Sequence, residues 1–203
     1  MKLYDGGRAP NPRRVRIFLA EKDISVDLAP VDLGAMGHRS AEYAALNPWR
    51  LTPLLLLDDG TTIAESIAIC RYFEELFPDP ALFGSSAIAR ARVEMWQRRV
   101  ELGLFTFVGA VFRHLHPGMA EMENPQIPAW GEANKPKVVH ALTLLDAHLA
   151  GSEYLCEEGF SVADITGLVA LDFMKPAKLV IPEDLANVRR WHAALKARPS
   201  AAA

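Results

Sequence analysis

The sequence predicts a chain of two domains, an α/β domain followed by an all-α domain. Up to residue 77 the apolar segments are short and separated by turn residues, whereas after residue 84 they are long and follow the helical period. Between them lies FPDPALFG, in which two prolines and a glycine interrupt any regular element. We therefore expect domains at residues 1–77 and 85–203, joined by a linker at residues 78–84.

The first domain opens with a strand, a helix and a second strand. The segment KLY is a brief strand, and Asn11 and Pro12 form a helix start in which Asn11 is the N-cap and Pro12 takes the first helical position. Apolar residues then recur at helical spacing on one face. The second strand is predicted over residues 26–31.

A β-hairpin and a helix complete this domain. Apolar runs at residues 54–57 and 61–63 flank the dipeptide DG, which is typical of hairpin turns. Glu65 and Ser66 then open a helix. The resulting order is β-α-β, a connection containing a short helix, and β-β-α. This is the order of a thioredoxin-like domain, whose mixed sheet places ligands at helix starts and loops on one edge.

The second domain is predicted to be helical throughout. Residues 86–116 carry no proline and no interrupting turn signal, so they form one long helix, straight or bent. Residues 138–149 mark another helix, with Pro136 either near its start or kinking it. The segment GFSVADITG contains an S-x-x-D capping box, which starts a further helix, and a last helix is expected over residues 184–197.

The composition excludes several classes of function. The 203 residues are 50% hydrophobic and 23% charged, enough for one large or two small cores. The net charge of −3 gives no basic field, so a nucleic-acid partner is not expected. Cys70 and Cys156 form no CxxC or metal-ligand cluster, so we expect core thiols and no metal. Without a signal peptide or a membrane-length apolar run, the expected location is the cytoplasm, with no membrane contact.

Several segments together carry a resemblance to a known family. NPWRLTPLLLLDDGTTIAES, SVADI and RRWHAALKARPS resemble the glutathione transferase superfamily across essentially the whole chain. More narrowly, APNPRRVRIFLAEK, RRVELGLF and FRHLHPG resemble a bacterial and fungal branch that lacks the usual Tyr, Ser or Cys beside the glutathione sulfur. The resemblance implies a thioredoxin-like glutathione-binding domain, followed by an all-helical domain that contributes the electrophile pocket.

The resemblance assigns the middle and the γ-glutamyl end of glutathione to two segments. Thr52-Pro53 resembles the family's cis-proline turn, in which the Thr52 N–H and C=O pair with the cysteinyl backbone. An ordinary trans proline opening a strand is the alternative. At the next helix start, the Ser66 hydroxyl and free N–H groups would bind the γ-glutamyl carboxylate, and Glu65 would receive its ammonium. Both residues also suit the first turn of any helix.

The glycyl carboxylate is assigned to two cationic side chains. Arg50 and His38 occupy positions where relatives place side chains against this group. The charge-assisted contact of Arg50 would be the stronger of the two. Without the resemblance, both would be read as solvated surface residues.

The sulfur atom needs a device that favours the thiolate. Serine transferases carry Ser where this chain has Ala9, so the hydroxyl that would bind the thiolate is missing. Free N–H groups and the dipole of the helix starting near Asn11 can lower the thiol pKa. A fall of about two pKa units needs about 2.7 kcal/mol, whereas a helix end supplies about 0.3–2 kcal/mol. A further donor is needed, and the Asn11 amide is the nearest candidate.

The long helix offers two polar candidates for catalysis. Fungal relatives are thought to hold a water with a Ser and a His, but those positions fall on Gly109 and Arg113, so that assignment does not transfer. Arg113 and His114 remain candidates, while an unpaired His on a helix is more often structural or solvated. The apolar residues predicted to line the electrophile pocket or the core are Phe105, Phe112 and Met119.

The predicted function is conjugation of glutathione, as co-substrate, to an electrophilic and apolar small molecule, with no further cofactor. The alternatives are a glutathione-binding or hydrophobic-ligand carrier with little turnover and, last, a thiol-disulfide oxidoreductase, for which the first helix start lacks a Cys. Relatives pair through the hairpin-helix part of one subunit and the long helix of the other. We therefore expect a homodimer, with Glu101 as a contact to the neighbour's γ-glutamyl ammonium.

Overall fold

The computed structural model describes residues 1–203 as two compact units. One unit comprises Met1–Leu82 together with Ser200–Ala203, and the other comprises Phe83–Pro199. The last four residues, which the sequence pattern assigned to the second domain, therefore join the first. Arg13 Nη2 donates to the Ala201 carbonyl at 2.9 Å, a contact 188 residues apart in sequence that no local pattern reveals.

The first unit contains a four-stranded mixed sheet and three α-helices. The sheet order is β2-β1-β3-β4, in which β1 and β2 are parallel and the other neighbours are antiparallel. This is the predicted thioredoxin-like order. The elements are β1 Lys2–Asp5, α1 Pro10–Glu21, β2 Asp27–Pro30, α2 Ala41–Leu46, β3 Leu54–Leu56, β4 Thr62–Ala64 and α3 Ser66–Leu76.

The core of this unit lies between the sheet and the two longer helices. Leu3 in β1 pairs with Leu55 in β3, and both side chains are fully buried. Phe18 of α1 and Phe73 of α3 are also buried, and the two helices are in contact. Burying side chains of this size stabilises the fold by about 1.5–3 kcal/mol each. The inner faces of α1 and α3 therefore fix where the two helix starts lie against the sheet.

The second unit is helical, as predicted. The helices are α4 Ala87–Val100, a π-helical segment Glu101–Phe105, α5 Thr106–Leu115, α6 Pro128–Leu149, α7 Val162–Phe173 and α8 Ala186–Lys196. The first three follow one another without a break, from the Ser86 N-cap to the His116 C-cap. The predicted long helix is thus present, with a π-helical segment at its middle. Pro136 lies inside α6, which begins at Pro128.

A buried capping box starts α7. Ser161 is the N-cap, and the Asp164 carboxylate accepts hydrogen bonds from the N–H and the hydroxyl of Ser161, both at 3.0 Å. Its other oxygen accepts from Leu155 N and Trp191 Nε1, also at 3.0 Å. Burial raises the pKa of Asp164 to about 6, although these hydrogen bonds lower it. The predicted capping box is therefore confirmed and also joins α7 to α8.

None of the helices is both long enough and apolar enough to cross a membrane.

Candidate functional site

The start of α1 differs from the predicted one. The N-cap is Ala9, not Asn11, and Pro10 is the first helical residue. Ala9 has no side chain that can cap, and Asn11 lies exposed in the first turn. Pro10 and Pro12 carry no N–H. Because Arg13 N already donates to the Ala9 carbonyl, the first turn offers one backbone donor, Asn11 N–H, rather than the several that were expected.

The loop before α1 is held in place by a buried carboxylate. Asp5 Oδ1 accepts from Gly7 N at 2.7 Å, and Asp5 also forms an ion pair with Arg16. Arg16 Nη2 donates in turn to the Gly7 carbonyl at 3.1 Å. The strand end and the first helix thus clamp the loop from both sides. Neither charged residue was predicted from the sequence, although Asp5 stands at a strand end next to two glycines, which is a visible signal.

The cis-proline loop lies against the same loop. The Thr52-Pro53 peptide bond is cis, as the resemblance predicted. A Cβ added to Gly6 would lie 2.6 Å from Thr52 Oγ1, so only glycine allows this approach. The carbonyl of Leu51 accepts from Tyr43 OH at 2.6 Å, which anchors the preceding residue. The structure therefore brings Thr52 together with the loop that leads into α1.

The start of α3 lies next to α1. Glu65, its N-cap, has a left-handed backbone with φ of 68°, which is uncommon for a residue with a side chain. Its side chain is exposed, whereas Ser66, the first helical residue, is buried. Arg14 Nη1 donates to Ser66 Oγ at 2.7 Å. Arg14 was not predicted from the sequence, although its position four residues before Phe18 places it on the buried face of α1.

The two residues predicted for the glycyl carboxylate differ in burial and charge. His38, in the short helical turn Gly37–Arg39, is buried, and burial followed by the charge of Arg39 lowers its pKa. Its imidazole is therefore neutral at pH 7 and offers a hydrogen bond without a charge. Arg50 is exposed and has a φ of 54°. Of the two residues, Arg50 supplies the cation.

In the second unit, the predicted aromatic residues form a cluster. The Phe112 and Phe173 ring centroids are 4.8 Å apart, and those of Phe105 and Phe173 are 6.1 Å apart. Phe112 also contacts the His116 ring, at 4.8 Å between centroids. Met119 ends the short helical turn after α5 and is half-buried. Phe173, the last residue of α7, joins the two predicted rings and was not anticipated.

The polar candidates on α5 both contact one acidic residue. Arg113 Nη1 lies 3.2 Å from Glu123 Oε2, and His114 Nε2 lies 3.8 Å from Glu123 Oε1. His114 Nδ1 accepts from Ile127 N at 3.1 Å, which places the proton of a neutral ring on Nε2. Both side chains thus hold the loop between α5 and α6. Glu101, the predicted contact across a dimer, begins the π-helical segment.

Comparison with known proteins decides the family. Residues 9–76 match the family model of the glutathione S-transferase N-terminal domain, and residues 128–194 match that of the C-terminal domain. Glutathione S-transferase 2 of Saccharomyces cerevisiae is 36% identical over 203 residues, covering 98% of this chain and 87% of that protein. The chain belongs to the glutathione S-transferase family. Membership confirms the predicted enzyme class.

Solved structures support the bacterial and fungal branch. A glutathione S-transferase domain-containing protein of Marinobacter aquaeolei is 41% identical, with a TM-score of 0.94, covering 98% of this chain and 99% of that one. Gtt2 of Saccharomyces cerevisiae is 36% identical, with a TM-score of 0.93 and 98% of both chains covered. These matches confirm the predicted two-part fold of a thioredoxin-like domain followed by a helical domain.

Proposed function

We propose that this transferase conjugates the thiolate of glutathione to an electrophilic, apolar small molecule. The observation that carries the proposal is the start of α1, which has no side-chain cap and follows a loop whose Gly6 lies beside Thr52 of the cis-proline loop. A thiolate placed there meets Asn11 N–H and the positive end of the helix dipole. Glutathione is the co-substrate, and the proposal requires no resident cofactor.

The energetics show why Asn11 matters. A thiol pKa lowered by about two units requires about 2.7 kcal/mol, and the helix dipole supplies about 0.3–2 kcal/mol of it. A hydrogen bond to a charged acceptor adds about 1.5–3 kcal/mol. The two prolines leave Asn11 N–H as the backbone donor of the first turn. A hydrogen bond from this N–H, or from the side-chain amide of Asn11, is therefore the candidate for the free energy that the helix dipole does not supply.

Replacing Ala9 with Ser tests the position of the sulfur. The new hydroxyl would add a donor to the thiolate, so we expect similar glutathione affinity with a lower pKa of the bound thiol or a higher turnover. The ultraviolet absorbance of the thiolate and the rate with chlorodinitrobenzene measure the two quantities. Asn11→Ala is the companion variant and is expected to raise the thiol pKa. Loss of activity in Ala9→Ser with an intact fold would show that the sulfur lies elsewhere.

The remaining contacts follow glutathione along the first unit. Thr52, which precedes the cis-proline, would pair with the cysteinyl backbone through its N–H and C=O. Ser66 and the start of α3 would take the γ-glutamyl carboxylate, and Glu65 the ammonium. Arg50 would supply the charge for the glycyl carboxylate, and the neutral His38 would supply a hydrogen bond.

The electrophile would lie against the aromatic cluster of Phe105, Phe112 and Phe173, with Met119 at its end. His114 stays a candidate for a catalytic role, and Arg113 a candidate for stabilising the thiolate or a charged electrophile. Glu123 competes for both side chains, so a catalytic role requires them to leave it. Proximity and thiolate stabilisation would then supply most of the rate enhancement.

A ligand carrier with little turnover is the second candidate, and one observation favours it. A cavity of about 680 Å³ lies between α4, the π-helical segment and α6. Its walls include Trp96, Phe107 and Leu144, and Arg99 and Lys137 lie over aromatic rings of the same walls. The chlorodinitrobenzene assay separates the two functions, because a carrier would leave the uncatalysed rate unchanged.

A homodimer is the proposed assembly. The exposed apolar residues Ile88, Met95 and Leu102 recur every seven positions along α4 and the π-helical segment, which leaves an apolar stripe on the surface. Burying this stripe against a second copy would place Glu101 in the interface, where it is proposed to contact the neighbour's γ-glutamyl ammonium. Sedimentation should return a dimer at micromolar concentration. A monomer there would contradict the assembly.

A further inference from the structure

Arg14 is a buried cation beneath the proposed γ-glutamyl site. It is the only charged residue among those that α1 buries, and it is 1% exposed. Its Nη1 donates to Ser66 Oγ at 2.7 Å, within the buried part of the first unit. A guanidinium keeps its charge at any ordinary pH. The cation therefore lies permanently next to the first residue of α3.

The direction of this hydrogen bond decides what Ser66 can do. Arg carries donors only, so Ser66 Oγ must be the acceptor. A hydroxyl has one proton and two lone pairs, and Arg14 occupies one lone pair. The proton of Ser66 is thereby left to donate to an acceptor above the helix start, and the cation polarises the O–H bond. A hydroxyl that is polarised by a cation and has its proton available donates best to an anionic acceptor.

We propose that Arg14 is a positioning residue that fixes the Ser66 hydroxyl as a donor to the γ-glutamyl carboxylate. This role rests on the proposed function, because it takes glutathione as the ligand. Arg14 itself does not reach the ligand in this arrangement. Its effect on a carboxylate would pass through the Ser66 hydroxyl, to which it donates.

Calorimetry on Arg14→Met and Arg14→Lys provides the first test. We expect Arg14→Met to weaken glutathione binding about tenfold, with a similar rise in KM and a smaller change in kcat. Arg14→Lys keeps a donor and a charge, so its loss should be smaller. Arg13→Met is the matched control, because Arg13 donates to the Ala201 carbonyl rather than to Ser66 and should leave affinity unchanged.

A ligand without the α-carboxylate separates positioning from simple support of the fold. γ-Aminobutyryl-cysteinylglycine lacks only that group of glutathione, so wild type and Arg14→Met should bind it equally. The role of Arg14 would be overturned if Arg14→Met weakened the binding of both ligands equally, or if both Arg14 variants bound glutathione as tightly as wild type. In either case, binding of glutathione by wild type would still support the proposed function. If Arg14→Met does not fold, Arg14→Lys carries the same comparison. Failure of wild type to bind glutathione would overturn the proposed function and this role together.

Discussion

Replacing Asp164 with alanine is expected to lower the free energy of unfolding by about 3–5 kcal/mol. Its carboxylate accepts from Leu155 N, Trp191 Nε1 and both donors of Ser161, in a fully buried position. Alanine would leave these donors buried without an acceptor and would remove the capping box of α7. Thermal unfolding should show a midpoint lower by roughly 10 °C.

Asp172→Ala is the matched control for this prediction. Asp172 also lies in α7, but its 2.8 Å contact with His192 is partly exposed to solvent. Such pairs contribute about 0.2–1 kcal/mol, so the control should unfold almost as the wild type does. If Asp164→Ala unfolds at the same midpoint as Asp172→Ala, the buried network does not hold α7 to α8.

The raised pKa of Asp164 gives the same network a pH dependence with a defined sign. Its folded-state pKa is about 6, above the 3.8 of an unperturbed carboxyl. The folded state therefore binds the proton more tightly, and the contribution of Asp164 to stability falls by about 3 kcal/mol as the pH rises from about 4 through 6. In urea unfolding, the stability of wild type relative to Asp164→Asn should be lower at about pH 7 than near pH 4. A rise would contradict the raised pKa.

The sequence predicted the elements better than it predicted the residues between them. The order of the first unit follows from strong local signals, such as the hairpin dipeptide and the serine at the start of α3. The predicted start of α1 was two residues too late, because Asn11 and Pro12 satisfy the usual rule for an N-cap followed by proline, whereas the helix begins at Pro10. Pro10 and Pro12 both suit the first position of a helix, so the local sequence could not decide between them.

Long-range contacts explain what else the sequence could not show. Arg14 is 52 residues from Ser66, and Glu123 meets Arg113 and His114 from across a loop. Charged residues along a helix are usually exposed to solvent, so the sequence does not distinguish the buried Arg14 from the other two arginines of α1. Thr52-Pro53 was anticipated because a whole segment, rather than one residue, carried the resemblance.

The second large effect is expected at the start of α3, where Glu65 and Ser66 should anchor glutathione without taking part in the chemistry. The γ-glutamyl end lies several bonds from the sulfur, so these contacts bind ground and transition states almost equally. Removing a hydrogen bond to a charged ligand group costs about 1.5–3 kcal/mol, which is a loss of affinity of about tenfold to 150-fold. Ser66→Ala and Glu65→Ala should weaken glutathione binding in calorimetry while kcat at saturation changes far less.

Stability must be measured beside affinity in both variants, because each residue also shapes the helix start. Ser66→Ala removes an acceptor of the buried Arg14, so a lower thermal midpoint is expected there. Glu65→Ala keeps a side chain at a φ of 68° and should leave the backbone energy unchanged, whereas Glu65→Gly should relieve it and raise the midpoint. Ser86→Ala is the control, since Ser86 caps α4 and its loss should affect stability alone. Unaltered glutathione affinity in folded Ser66→Ala and Glu65→Ala would remove this pair from the site, and the assignment of the whole first unit to glutathione with it.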